Sequence, residues 1–445
     1  MPDLPPITLV LKYYKIIMLN KLKKAKQSLN SSKTKQEDRL MVGLDIGTEF
    51  VKAIVARLDD NDNLEVIGVG REKQSLSDMN AGAISDIAAV VANCDSALTQ
   101  AEKMAGASAR SAVVGIAGEL VKGNTTTVRF VRKNPTQEIT VEEVDKIFSL
   151  VQERAEETAK QQLTTDTGGK DIGLRLVNSA LISIDIDGYQ VTNPIGFQGK
   201  NVLISLYTAF APLVHIGAIE RVAEQLDLDL LTVAAEPFAV ARSVIGDDPN
   251  ASLSAILIDV GGGTSDIAVV NEGGVEGTVM FGIGGRAFTK SIARDLDTDF
   301  DRAEALKLGL ADGKTPEPRI KSVQDSLAKT VAVWMSGLEL GLEDFSRLDH
   351  LPSKILLCGG GSSLEMLTNA LTETEWYKEL PFTKKPSVQL IKPSQVIGII
   401  DKTNTVNDHT YITGLGLLRV GMDTLLQLDA PSGSVRDRIN RMLRI

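Results

Sequence analysis

Residues 255–270 read Ala-Ile-Leu-Ile-Asp-Val-Gly-Gly-Gly-Thr-Ser-Asp-Ile-Ala-Val-Val, an apolar run, a glycine turn and a second apolar run. The pattern predicts a β-hairpin whose first strand ends at Asp259. Because Gly261, Gly262 and Gly263 carry no Cβ, the backbone of the turn can approach a ligand closely. Backbone N–H groups and the hydroxyl of Thr264 at such a turn suit a phosphate. The stretch therefore predicts one wall of a polyphosphate site.

A similar hairpin lies about 210 residues earlier, where residues 41–56 read Met-Val-Gly-Leu-Asp-Ile-Gly-Thr-Glu-Phe-Val-Lys-Ala-Ile-Val-Ala. Alone, this turn is most often a plain hairpin, but the pair indicates two related half-domains that face each other across one ligand. Gly47 and Thr48 then face phosphates. Asp45 and Asp259, at the strand ends, are predicted to hold a hydrated Mg²⁺, which takes a few carboxylates together with waters and nucleotide phosphates.

A third glycine turn follows a buried strand at residues 354–366, Lys-Ile-Leu-Leu-Cys-Gly-Gly-Gly-Ser-Ser-Leu-Glu-Met. Backbone amides at such a turn, next to the start of a helix, suit the base and α-phosphate of a nucleotide. We therefore predict that the adenosine contacts Gly359, Gly360, Gly361 and Ser362.

In this order the three turns resemble the actin, chaperone and sugar-kinase ATPase superfamily. Two helix motifs of that superfamily resemble residues 233–240, Val-Ala-Ala-Glu-Pro-Phe-Ala-Val, and residues 409–418, His-Thr-Tyr-Ile-Thr-Gly-Leu-Gly-Leu-Leu, where small residues let two helices cross closely. The resemblance implies an α/β, actin-like two-lobed ATPase fold of duplicated ribonuclease H-like domains. It also implies ATP and Mg²⁺ between the lobes, with at most slow hydrolysis.

The same resemblance assigns further residues to the nucleotide. Lys52 matches a phosphate-contacting lysine, and Glu304 and Lys307 match a pair that contacts the ribose; a solvated helix face is the alternative interpretation of that pair. Glu236 and Asp266 are the candidates for orienting an attacking water.

The segment between the first hairpin and Glu236 narrows the resemblance to the bacterial cell-division family FtsA. Residues 68–70, 80–86 and 193–196 resemble segments of that family in the same order, and the family carries a small α+β insertion here. The resemblance divides the chain into a basic leader, 1–40; a first actin-like domain, 41–116, 209–244 and 406–425; an inserted SHS2-type domain, 117–208; a second actin-like domain, 245–277 and 331–405; a short outer lobe, 278–330; a linker, 426–434; and an amphipathic helix, 435–445.

Membership of that family would imply a membrane-bound ATP-binding filament protein at the division site on the cytoplasmic side of the inner membrane. The implied partners are the C-terminal tail of FtsZ, other copies of the chain, later division proteins bound through the inserted domain, and an anionic membrane surface. The outer lobe, with residues 312–318 in place of a longer strand-bearing stretch, is short for the family, and the family binds the FtsZ tail there.

The C-terminal segment is a basic amphipathic helix by pattern, since its apolar residues recur at helical spacing and its arginines lie elsewhere. Such a helix can lie in the headgroup layer of an anionic membrane; a helix docked on its own domain is the alternative. The residues predicted to contact the membrane are Val435, Arg438, Ile439, Arg441, Met442 and Leu443.

The 40-residue leader is basic and has no small-residue cleavage site after its apolar stretch, which argues against a processed signal peptide. We predict that it is mostly disordered, with a second membrane contact, or a later start at Met18 or Met41, left open.

Charge and composition exclude several other classes. Residues 1–40 carry nine Lys/Arg against three Asp/Glu, and residues 435–445 carry four Arg against one Asp, so the formal charge of −10 leaves −19 on the body between them. Such a body disfavours nucleic acid as a partner. The apolar runs are far shorter than the roughly 18 residues that span a bilayer. Two distant cysteines and three histidines favour a reducing cytosol without a disulfide framework or a His/Cys metal site.

Two other functions remain as alternatives. A PilM-like cytoplasmic actin homologue would bind the tail peptide of a membrane protein in pilus assembly, but such proteins lack a terminal lipid-binding helix. A small-molecule kinase of the same fold would need a catalytic aspartate beside an acceptor pocket.

Overall fold

The computed structural model describes residues 39–61, 63–170, 172–245, 253–311, 313–345 and 348–429. The predictions for residues 1–38 and for the amphipathic helix at 435–445 lie outside these ranges. Within them, no helix is both long and apolar enough to cross a lipid bilayer.

Six strands form the first sheet, in the order β11-β6-β1-β2-β3-β17. β1 and β11 both run parallel to β6, whereas β2 and β3 run antiparallel to each other. The strands are β1 (Leu40–Ile46), β2 (Phe50–Leu58), β3 (Leu64–Lys73), β6 (Ser111–Ile116), β11 (Asp229–Ala235) and β17 (Ile399–Asp401). The last of these was predicted to belong to the second actin-like domain, but it pairs in parallel with β3.

Helix α1 (Ile87–Ala105) covers the first sheet and lies against β3 at unusually short range. The side chain of Asp86 caps its first turn by accepting a hydrogen bond from the amide of Ala89 at 3.1 Å. A Cβ at Gly68 would lie 2.0 Å from the carbonyl oxygen of Ala101, and one at Gly70 1.8 Å from that of Ala97. The two glycines therefore let the helix backbone rest directly on the strand.

Nine strands form the second sheet, in the order β16-β15-β12-β13-β14-β7-β10-β8-β9. They are β7 (Lys122–Val131), β8 (Leu174–Ile186), β9 (Tyr189–Gln190), β10 (Asn201–Pro212), β12 (Ala255–Val260), β13 (Ser265–Asn271), β14 (Gly274–Phe281), β15 (Lys354–Cys358) and β16 (Ser387–Leu390). A separate two-stranded hairpin is formed by β4 (Met79–Asn80) and β5 (Ala83–Ile84).

The inserted domain shares this second sheet with the second lobe. β14 pairs with β7 through Gly277 opposite Asn124 and Thr278 opposite Gly123. Helix α2 (Val141–Asp166) begins at a Thr140 cap and packs its apolar face on the strands of the insert, with a core of its own. The insert also ends later than predicted, because β10 continues through Pro212 rather than stopping at 208.

The remaining helices complete the two lobes. They are α3 (Leu213–Gln225), α4 (Glu236–Ile245), α5 (Gly285–Asp295), α6 (Phe300–Ala311), α7 (Glu317–Glu343), α8 (Glu365–Glu373) and α9 (Ile412–Asp429). The 27-residue helix α7 runs through the predicted boundary at 330, because its buried residues from Val323 to Leu342 form one stripe against the second lobe's core. α9 likewise continues to Asp429, past the predicted start of the linker at 426.

Candidate functional site

A cleft of about 390 Å³ lies between the two hairpins that the sequence analysis singled out. That volume is in the usual range for a small-molecule site. The predicted site residues that line it are Asp45, Gly47, Thr48, Lys52, Glu236, Asp259, Gly261, Gly262, Thr264, Asp266, Glu304, Lys307, Gly359, Gly360 and Gly361.

Two predicted residues, Gly263 and Ser362, do not line the cleft. Ser362 is buried, and its hydroxyl donates a hydrogen bond to the carbonyl oxygen of Cys358. Ser363 lines the cleft instead. A Cβ at Gly263 would lie 2.6 Å from Oγ1 of Thr48, so this glycine faces the other hairpin.

The glycines of the second turn therefore have two roles: they let this turn pack closely against the first hairpin, and they leave space for a ligand in the cleft. A Cβ at Gly262 would lie 2.8 Å from the Cβ of Glu49. The turn is closed by a hydrogen bond of 2.9 Å from the amide of Gly261 to the carbonyl oxygen of Thr264. The two turns thus meet at the bottom of the cleft, which brings the predicted phosphate-binding groups of both lobes together.

Four buried carboxyl groups and one lysine share the floor of the cleft. They are Asp45, Lys52, Glu236, Asp259 and Asp266. Nζ of Lys52 lies 2.9 Å from Oδ2 of Asp45. Burial lowers the pKa of Lys52, but the charges of Asp45 and Asp259 outweigh burial, so the net pKa is raised and the ammonium form is favoured.

Three of the four carboxyl groups, Glu236, Asp259 and Asp266, have raised pKa values. Burial raises the pKa of Glu236 well above its ordinary value, and the charges of Asp45 and Asp266 raise it further. Burial likewise raises the pKa of Asp266, with a further contribution from Asp259. The pKa of Asp259 is raised by burial, although the hydroxyl of Thr413 donates a hydrogen bond to its Oδ2. Such clustering is typical of functional sites.

The charge and geometry of this cluster fit a magnesium ion shared with a nucleotide. One lysine does not balance four carboxyl groups, and Oδ1 of Asp266 is buried without a hydrogen-bond partner. Across the described ranges, no three acidic, histidine or cysteine side chains form a closed metal cage. Mg²⁺ does not need one, because it binds one or two carboxylates and completes its shell with phosphates and waters.

At the opposite wall, helix α6 presents the predicted ribose pair to the cleft. Nζ of Lys307 lies 2.8 Å from Oε2 of Glu304 and donates hydrogen bonds to the carbonyl oxygen of Gly285 and to Oγ1 of Thr289. Lys307 is buried, so the alternative of a solvated helix face is wrong for this residue.

The two connecting helices cross as the small residues in their motifs predict. A Cβ at Gly416 would lie 2.3 Å from the carbonyl oxygen of Ala239, so α9 rests on α4 through backbone contact. Nη2 of Arg242 on α4 lies 2.6 Å from Oδ2 of Asp423 on α9. Glu236 is the first residue of α4 and lines the cleft, so this crossing fixes the helix that carries it.

Sequence reasoning missed three cleft residues, which differ in how much local signal they carry. Thr413 is recognisable only as part of a helix motif, and its bond to Asp259 joins residues 154 positions apart. Glu49 follows Thr48 directly and could have been proposed from the first hairpin alone. Arg286 contacts Glu49 across 237 positions, which no local pattern indicates.

Glu236→Gln is expected to stabilise the protein at pH 7.5 in EDTA without nucleotide, by about 1 kcal/mol or 2 to 4 °C in melting temperature. A raised carboxyl pKa means that the group contributes stability below its unfolded pKa and loses it as pH rises through the folded pKa. Glutamine carries no charge, whereas Glu236 must either bear its charge among other carboxylates or take up a proton on folding, and either costs free energy at neutral pH.

Melting scans at pH 7.5 and pH 5 check this expectation. The advantage of the variant should shrink at the lower pH, where protonation of the Glu236 carboxyl on folding costs less free energy. The exposed Glu153→Gln on α2 serves as the control and should leave the melting temperature unchanged. An equal difference at both pH values would contradict the explanation.

The chain is similar to known proteins in sequence and in fold. A family model described as "Cell division protein FtsA" matches residues 256–416. The chain is 28% identical to the cell division protein FtsA of Pseudomonas aeruginosa over 90% of this chain and 93% of that protein. It is 27% identical to the FtsA of Escherichia coli K12 over 91% of this chain and 98% of that protein.

Among solved structures, the PilM-PilN type IV pilus biogenesis complex is similar at a TM-score of 0.61 and 15% identity, over 86% of this chain and 98% of that chain. This likeness shows the actin-like fold. The chain therefore has an actin-like fold and is similar in sequence, over most of its length, to the cell division protein FtsA of several bacteria.

Proposed function

We propose that the chain is an ATP-binding actin homologue of the division machinery that polymerises on the cytoplasmic side of the inner membrane and tethers FtsZ filaments to it. The observation that carries the nucleotide part is the meeting of two glycine-turn hairpins over a buried cluster of carboxylates and one lysine. The division role rests on the family, whose full-length members match the chain over most of its length.

We propose a role for each group of cleft residues in binding the nucleotide. The turns at 47–48 and 261–264 would hold phosphates with backbone amides and hydroxyls, and Lys52 would add a positive charge beside them. Glu304 and Lys307 would face the ribose, and the turn at 359–361 the adenosine. Asp45 and Asp259 would hold Mg²⁺, which supplies positive charge against the phosphates.

Glu236 and Asp266 are the groups that we propose for orienting a water. Both line the cleft and both are buried. Their raised pKa values favour the protonated carboxyl, which is a poor base. We therefore expect slow hydrolysis, sufficient to switch a filament or partner surface rather than to sustain rapid turnover.

The partners follow from the family and from the sequence pattern. We propose that the inserted domain, which continues to the end of β10 at Pro212, mediates contacts between subunits and with later division proteins. The outer lobe would meet the FtsZ tail, and here it is built from α5, α6 and the first part of α7. The helix at 435–445 would bind an anionic membrane through its apolar face and its arginines.

Truncation after Ser434 is expected to abolish binding to anionic vesicles. Full-length protein with ATP and Mg²⁺ should pellet with vesicles rich in anionic lipid, and FtsZ should join the pellet. With four arginines contributing about 1 kcal/mol each near a charged surface, neutral vesicles should bind at least about tenfold less. Co-sedimentation measures all three quantities.

A matched pair of variants separates lipid insertion from charge. Met442→Asp in the apolar face should lose binding to either kind of vesicle, whereas Arg438→Gln should weaken binding to anionic vesicles alone. If truncation leaves vesicle binding unchanged, or if the full chain stays in the supernatant, the tether is wrong. A PilM-like module that binds a membrane protein's tail peptide then becomes the better account.

A further inference from the structure

One arginine of the second lobe reaches across the cleft into the first. Arg286 lies in the first turn of α5, and its Nε donates a hydrogen bond to Oε2 of Glu49 at 2.7 Å. Both side chains line the cleft, and that of Arg286 is only 8% exposed. The contact joins the first hairpin to the helix that follows β14, so it bridges the two lobes at the edge of the nucleotide site.

The first lobe forms a socket for this guanidinium. Nη2 of Arg286 donates hydrogen bonds to the carbonyl oxygens of Gln74 at 3.2 Å and Ser75 at 3.3 Å, and Nη1 lies 3.5 Å from that of Leu76. Together with Glu49, these carbonyls engage the planar fork on three of its nitrogens. A lysine, which offers a single ammonium, could not fill the same socket.

The socket is itself tied to the first phosphate turn. The amide of Gln74 donates to the carbonyl oxygen of Glu49 at 2.9 Å, and Nε2 of Gln74 donates to that of Gly47 at 2.9 Å. Asn93 on α1 then donates to Oε1 of Gln74 at 2.9 Å. The position of the socket is therefore fixed relative to Gly47, which lines the cleft.

The arginine is tied in the same way to the second phosphate turn. The amides of Gly285 and Arg286 donate to the carbonyl oxygens of Gly261 and Gly262, each at 2.8 Å. A Cβ at Gly284 would lie 2.7 Å from the carbonyl oxygen of Gly261, so this junction has no room to slide. Any displacement of the second turn must therefore move Arg286 relative to its socket.

A second pair of contacts at the same edge is weaker. Nζ of Lys73 lies 3.9 Å from Oε1 of Glu49 and 4.0 Å from Oδ1 of Asp301 on α6. Lys73 is half exposed and Asp301 is 90% exposed, so these long contacts contribute little. The buried arginine is the strong link between the lobes at this edge.

We infer that Arg286 is a positioning residue that clasps the second lobe onto the first and retains the nucleotide in the cleft. The inference rests on the proposed nucleotide binding. We expect the two turns to separate, and the nucleotide to dissociate, only after the guanidinium of Arg286 has broken its hydrogen bonds to Glu49 and to the carbonyl oxygens of 74–76. Weakening the clasp should therefore accelerate dissociation much more than it slows association.

Stopped-flow displacement of a fluorescent ATP analogue from the full chain with Mg²⁺ tests the clasp. Arg286→Ala is expected to raise the dissociation rate about 10- to 100-fold, and Glu49→Gln about tenfold, because a buried charged pair acts mainly on dissociation. The double variant should dissociate no faster than Arg286→Ala, since both changes remove one interaction. Arg286→Lys should behave more like alanine than like wild type.

Arg294→Ala is the matched control, because Arg294 lies on the same helix and its side chain is 71% exposed beside Asp295. It should keep the wild-type dissociation rate. Hydrogen exchange of the nucleotide-free chains gives a second measurement, in which Arg286→Ala should expose the amides of 74–78 and Arg294→Ala should not. Circular dichroism confirms that each variant folds.

The outcomes separate the clasp from the proposed function. If wild type binds nucleotide and Arg286→Ala releases it within twofold of the wild-type rate, the clasp is wrong while nucleotide binding stands. If wild type binds no nucleotide, the proposed function fails. The clasp is then judged by hydrogen exchange, and unchanged protection of 74–78 in Arg286→Ala overturns it.

Discussion

Asp259→Asn is expected to lower the affinity for ATP about 100-fold when Mg²⁺ is present, which corresponds to about 2.7 kcal/mol. The carboxylate lies at the end of β12 and lines the cleft. Asparagine keeps the size of the side chain but removes the negative charge that a hard cation requires. The loss should therefore be confined to the metal-dependent part of binding.

The surroundings of Asp259 hold its carboxylate in one orientation. The hydroxyl of Thr413 donates a hydrogen bond to Oδ2. On the other side, Gly359 has a φ of 80°, and a Cβ there would lie 1.9 Å from Oδ1 of Asp259. The third glycine turn thus leaves room for this carboxylate as well as for a ligand, and both contacts fix the orientation of the side chain.

Titration of a fluorescent ATP analogue, in Mg²⁺ and in EDTA, measures the effect directly. Wild type should bind more tightly in Mg²⁺, and Asp259→Asn should show nearly the same affinity in both buffers. Asp95→Asn on the exposed face of α1 is the control and should match wild type. Affinity of Asp259→Asn within threefold of wild type in Mg²⁺ would show that this residue does not hold the metal.

Gly70→Ala is expected to destabilise the protein by about 3 kcal/mol, a large part of the roughly 5 to 15 kcal/mol that keeps a domain folded. The added Cβ would lie 1.8 Å from the carbonyl oxygen of Ala97 and 2.9 Å from the amide nitrogen of Ala101. Both neighbours are backbone atoms of α1, so no side chain can rotate away. Either the helix or the strand must shift, and both are packed into the first lobe.

Gly217→Ala is a sharp control for the same chemical change. Gly217 lies inside α3, and a Cβ there would have no heavy atom within 4 Å. Alanine in a helix interior should instead stabilise by about 0.5 to 1 kcal/mol. Urea unfolding of the two variants should therefore shift in opposite directions; a Gly70→Ala midpoint equal to wild type would mean that the close packing of α1 on β3 is not a constraint.

The three glycine turns and the carboxylates at the strand ends were predictable because each is a local pattern. A strand followed by Asp-x-Gly closes on itself within a few residues, so the sequence around Asp45 and Asp259 is enough to predict the hairpins. The crossing of α4 and α9 was predictable for a similar reason, since a glycine such as Gly416 in a helix motif indicates close approach. The motif does not indicate which backbone atom Gly416 approaches; the structure shows that it is the carbonyl oxygen of Ala239.

Domain boundaries were less predictable, because sheet partners are chosen in three dimensions. The segment 399–401 adds a strand to β3, more than 300 residues earlier in the chain. The backbone pairing of β14 with β7 in the insert comprises two residue pairs, Gly277 with Asn124 and Thr278 with Gly123. No property of those short segments distinguishes them from solvent-exposed edges.

The sequence by itself determined the two glycine-turn hairpins and the basic amphipathic pattern at 435–445, because each depends on spacing between near neighbours. Only the tertiary structure decided that Gly262 and Gly263 face the opposite hairpin, that Ser363 rather than Ser362 lines the cleft, and that Arg286 enters a socket in the other lobe. These features depend on which distant segments meet, and burial energies act on the whole packed interior rather than on any one stretch of the chain.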